Sequence, residues 1–75
     1  MRWRRISTHE RGWRRDVLEH GAHIVAAVDT FYYASYGNVF GERTGAIKGR
    51  RKAKRVVQRR VRAFVGSGLM QFISA

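Results

Sequence analysis

From Val17 onward the apolar positions recur at steps of four and three: Val17, Gly21, Ile24, Val28, Phe31 and Ser35 form one stripe, widened by Leu18, Ala22, Val25, Tyr32 and Tyr36. That spacing is the mark of an amphipathic α-helix. Ser7, with Glu10 three residues later, fits a capping box, so the pattern predicts a first helix over about residues 8–36. Ala26, Ala27, Thr30 and Tyr33 occupy its far side, where a solvated helix shows Lys or Glu, and the helix is therefore expected to bury more than one side. The glycines of "GNVFGERTG" predict a reversal over 37–45. A second stripe, Ala46, Ala53, Val57, Val61 and Phe64, predicts a basic helix over about 46–65, capped by Thr44. "GSG" at 66–68 should break it, and Leu69 and Phe72 in the tail suit a helix or a short docking strand equally.

The fold class expected from this pattern is all-α: a helical hairpin over 9–65, a basic N-terminal arm over 1–8 and a short C-terminal tail over 66–75, forming one small domain. A 75-residue chain buries a modest core. It has no cysteine for a disulfide or thiolate metal site, so assembly with a neighbour is the remaining source of stability. The absence of cysteine fits cytosolic, organellar and virion settings alike. No apolar run at the N-terminus is long enough for a secretory signal, although its arginine content resembles that of an organellar presequence. Residues 24–40 contain Asp29 and Asn38 and fall short of the roughly 20 mostly apolar residues that a spanning helix needs. Membrane spanning is not expected.

Charge changes the picture most. The chain carries +11, unevenly: +5 over residues 1–15, −4 over 16–42 and +10 over 43–62, a run of twenty positions without an acid. Thirteen of the sixteen basic residues are arginine, whose guanidinium forks onto phosphate oxygens and stacks on bases. On a helical wheel Lys48, Arg51, Lys52, Arg55, Arg59 and Arg62 fall within about 100° opposite Val57. Like charges four residues apart cost about 0.2 to 0.5 kcal/mol per exposed pair, a cost that a bound polyanion removes. These six residues, with Arg2, Arg4, Arg5, Arg11, Arg14 and Arg15 of the arm and its continuation, are the candidate phosphate contacts. Lys54, Arg60 and Arg50 are expected to meet Asp16, Glu19 or Asp29 instead.

The function expected is that of a small architectural nucleic-acid-binding subunit of a nucleoprotein particle, such as a ribosome-like assembly or a virion interior. Its nucleic acid, RNA or DNA, would be held through phosphates with low sequence specificity. Ile24, Val28, Phe31, Tyr32, Tyr33 and Tyr36 are expected to form the protein interface with a neighbour or a second copy. Two readings compete: an accessory subunit of a membrane protein complex with its arginines on anionic headgroups, and a homodimeric helical-bundle regulator. Trp3 and Trp13, each beside arginines, either stack on unpaired bases or anchor the arm in an apolar groove. Glu19, His20 and His23 lie close together but lack further ligands for a tetrahedral metal site. Asp29 is expected to pair with Lys54 or Arg50 rather than to act as a catalytic acid, since no nucleophile accompanies it. The glycines match no phosphate-cradling loop. No cofactor and no enzymatic activity are expected.

Overall fold

The computed structural model describes residues 1–66 of the 75. It is mostly antiparallel sheet, which overturns the all-α helical hairpin. Five strands, β1 (Arg2–Ile6), β2 (Trp13–His20), β3 (His23–Phe31), β4 (Ala34–Val39) and β5 (Glu42–Lys48), are followed by one helix, α1 (Arg50–Gly66). The strands pair in sequence order, β1-β2-β3-β4-β5, each antiparallel to the next.

The expected first helix is therefore β2, a turn, β3 and part of β4. Ser7 and Glu10 lie in the β1–β2 connection, Thr44 lies inside β5, and the arm is largely edge strand β1. Of the hairpin only α1 exists, starting at Arg50 rather than near 46. The expectation for the tail beyond Gly66 lies outside the described residues.

The strands follow from residue type. Residues 13–36 are rich in Val, Ile, Phe, Tyr and Thr, whose branched or aromatic side chains fit a pleated surface better than a helical one. The turns are tight. Gly21 has a φ of 61° between His20 and His23, and Phe40 (51°) with Gly41 (87°) makes a two-residue connection with both φ values positive, the hairpin turn that matches strand twist. Register shifts at Leu18/Glu19 and Tyr36/Asn38 bulge the ladder locally.

Side chains alternate across the sheet, so residues opposite one another share a face. Trp3, Leu18, Ala26 and Val39 form one row on the helix-covered face, and Arg5, Asp16, Val28 and Gly37 the next. The core sits there: Leu18, Val25, Ala26, Val28 and Val39 pack under Ala53, Val57 and Val61 of α1, with Trp3, Phe40, Ile47 and Phe64 around them. Phe40 and Phe64 meet edge to face, 5.0 Å between centroids. A Cβ placed on Gly37 would lie 2.4 Å from Val57 Cγ2, so the helix rests against a gap that only glycine leaves.

Asp16, 2 % exposed, joins helix to sheet. Its oxygens accept from Arg14 Nε and Nη2 at 3.2 Å each and face Lys54 Nζ at 3.4 Å. A buried carboxylate is tolerated only when paired in this way.

Candidate nucleic-acid interface

α1 turns Ala53, Val57 and Val61 inward, each fully buried, and the four-residue step between them fixes what faces outward. Arg51, Lys52, Arg55, Arg59 and Arg62 are all exposed. Among the described residues none of them takes part in an ion pair: the acids that are paired hold Arg4, Arg14, Arg15 and Lys54. Arg55, Arg59 and Arg62 surround a shallow cavity of about 390 Å³ with Gln58, whose Oε1 accepts from Trp3 Nε1 at 3.3 Å. Three arginines thus line one recess, whose Gln58 is tied to Trp3.

The sixth expected member of this face, Lys48, ends β5 instead. It is exposed and pairs in register with Ala34, on the face of the sheet away from α1.

The N-terminal arginines divide. Arg2, Arg4 and Arg5 are exposed on β1, and Arg11 is exposed in the following turn. Arg4 pairs with Glu19. Arg14 and Arg15 lie on β2 and pair with Asp16 and Asp29, Arg15 at 2.7 and 3.1 Å. These two are counterions to buried or half-buried carboxylates. Lys54 meets Asp16, whereas Asp29 takes Arg15 as its partner rather than Lys54 or Arg50.

The expected protein-interface residues separate too. Val28 is fully buried in the core, while Ile24, Phe31, Tyr32, Tyr33 and Tyr36 are exposed. Trp3 packs against α1 with Lys54 Nζ 5.2 Å from its ring centroid, so it anchors β1. Trp13 lies on the opposite, open face, its ring nearly parallel to Phe31 at 5.8 Å, with Tyr36 edge-on to Phe31 at 6.3 Å.

Asp29 organises this open face. Its Oδ1 accepts from Trp13 Nε1 at 2.9 Å and from Arg15 Nε. Burial pushes the Asp29 carboxyl up, but hydrogen bonds from Arg15 and Trp13 and the charges of Arg15 and Arg43 outweigh it and hold the group below the ordinary aspartate value. Arg43 and Asn38, not singled out from the sequence, complete the surroundings. Asn38 on β4 and Arg43 on β5 reach this site only through strand register.

Among the described residues no helix is long and apolar enough to cross a membrane. No protein-family model, curated protein or solved structure matches this chain.

Proposed function

We propose that this protein is a small basic architectural subunit of a nucleoprotein particle, a ribosome-like assembly or a virion interior, that binds nucleic acid through phosphates. The observation that carries the reading is the outer face of α1, where Arg51, Lys52, Arg55, Arg59 and Arg62 are exposed with no carboxylate partner among the described residues. A face selected only for solubility would intersperse both signs. Guanidinium groups around a common recess suit bidentate contact with phosphate oxygens, and the attraction is sequence-blind because phosphate carries no base information. The exposed arginines of β1 and its turn extend the positive surface. The role is one of binding, not catalysis.

The homodimeric helical bundle falls with the hairpin it required. The protein contact of the reading moves from an apolar first helix to Tyr32 and Tyr33, exposed at the β3–β4 turn.

Replacing Arg51, Arg55 and Arg59 together by Glu tests the reading. The variant is expected to keep its far-UV circular dichroism and to lose retention on both RNA and DNA at moderate salt. Equal retention of variant and wild type contradicts it, as does stronger flotation of the wild type with anionic liposomes than retention on nucleic acid of equal charge.

A further inference from the structure

We infer that the open face of the sheet is a second site, one that takes an unpaired base of a single-stranded nucleic acid on Phe31 and Tyr36, with the adjoining phosphates on Arg43 and Lys48. The inference rests on the nucleic-acid reading above and adds what it lacks, a reason to prefer unpaired strands.

The register lays out the site. Trp13, Phe31, Ala34 and Lys48 form one row across the open face; Arg15, Asp29, Tyr36 and Ala46 form the next; Val17, Ala27, Asn38 and Arg43 form the third. Three rings therefore meet at one end of the face, and two cations stand on β5 beside them. A cavity of about 350 Å³ opens among Trp13, Phe31, Tyr36, Asp29, Asn38 and Arg43. That lies at the small end of the roughly 300–1,000 Å³ of ligand pockets, room for one planar ring system rather than a helix or a folded domain.

The rings differ in what they have left to give. Trp13 is committed: its Nε1 is bonded to Asp29, Phe31 stacks beside it and the Arg15 guanidinium lies 5.2 Å from its centroid. It forms a fixed wall. Phe31 and Tyr36 are 41 % and 40 % exposed, apolar ring surface where an open antiparallel face ordinarily shows polar side chains. Tyr32 and Tyr33, 71 % and 89 % exposed, form a separate pair of rings at the β3–β4 turn. Exposed rings gathered on one face of a sheet mark a contact.

Its charge selects the partner. Asp29 is neutralised by Arg15, whereas Arg43 and Lys48 have no ion pair among the described residues, so the rim is positive. Asn38 Oδ1 accepts from the Gly41 N–H at 2.9 Å, which leaves its amide donors for a base carbonyl. Aromatic faces inside a cationic rim are the means by which proteins hold single strands, stacking for the bases and charge for the backbone. An apolar protein patch would leave both cations uncompensated. In a duplex the base faces are stacked on one another and cannot reach Phe31.

A path joins the site to α1. Along the β5 edge a groove of about 320 Å³ is lined by Thr44, Ile47, Lys48, Lys52, Val56 and Arg60. A strand held on the helix can follow this groove around the edge and deliver a base to the open face.

Fluorescence anisotropy tests the site, using short labelled single-stranded DNA, RNA of the same sequence and the matching DNA duplex. Phe31→Ala with Tyr36→Ala is expected to weaken single-strand binding about tenfold or more, to leave duplex binding and the salt dependence unchanged, and to keep the far-UV spectrum. Tyr36→Phe, which retains the ring, is expected to bind single strands as the wild type does. The DNA and RNA arms show which backbone is preferred. Single-strand affinity unchanged by the double substitution, or an equal loss on duplex, overturns this inference alone. Wild-type protein that binds no oligonucleotide overturns the nucleic-acid reading and this site with it.

Discussion

At the residue scale the carboxylates decide where positive charge is left over. Glu19 holds Arg4, Asp16 holds Arg14 and Lys54, and Asp29 holds Arg15. Asp29 makes this measurable. Its carboxyl lies below the ordinary value of 3.8 in the folded chain, so the unfolded chain takes up its proton first as the pH falls. The stabilisation from Asp29 is therefore complete above the unfolded value and is lost on acidification from there through the depressed folded value. Urea titrations across the acid range are expected to show a steeper loss of stability for the wild type than for Asp29→Asn. Parallel acid limbs for the two proteins contradict this assignment.

At the element scale the sheet depends on α1 lying close to it, and Gly37 sets the approach. Gly37→Ala forces a methyl group against Val57 Cγ2 and is expected to cost about 1 to 3 kcal/mol, the range for overpacking. Gly45→Ala, on β5 with open space around its Cβ position, is expected to be neutral or slightly stabilising. Chemical denaturation midpoints compare the two, and equal stability of both variants contradicts the close approach. The helical stripe Ala53, Val57, Val61 and Phe64 was legible in the sequence because polar residues separate its members in a 3.6-residue period. The strands were not. "IVAAV" over 24–28 is apolar at every position and satisfies either period. Val17 and Leu18, on opposite faces, are both buried, which erased the alternation that would have marked β2. Phe40 in a positive-φ turn position lacks the Asn or Gly that announces a hairpin. The basic face of α1 could be read from the sequence, whereas the open-face site could not, since Trp13, Phe31, Tyr36 and Arg43 come together only through strand register. Arg50, Arg51 and Lys52 in the first turn of α1 also run against the helix dipole, a local conflict of the kind expected where function outweighs stability.

At the scale of the whole molecule the charge is partitioned. The acids on β2 and β3 are spent on Arg4, Arg14, Arg15 and Lys54, and the cations on the outward face of α1 have no ion pair among the described residues. A polyanion gains most on that face, and the β5 edge connects it to the aromatic face behind. The central claim is that these cations neutralise phosphates, and counterion release gives it a number. The most direct measurement is binding to duplex DNA across a range of salt concentrations, for the wild type and for Arg55→Ala with Arg59→Ala. If Arg51, Lys52, Arg55, Arg59 and Arg62 each neutralise one phosphate, log affinity falls with log salt at a slope of about −4.5, and the double substitution makes it shallower by about 2. A wild-type slope near zero, or the same slope in both proteins, contradicts the claim.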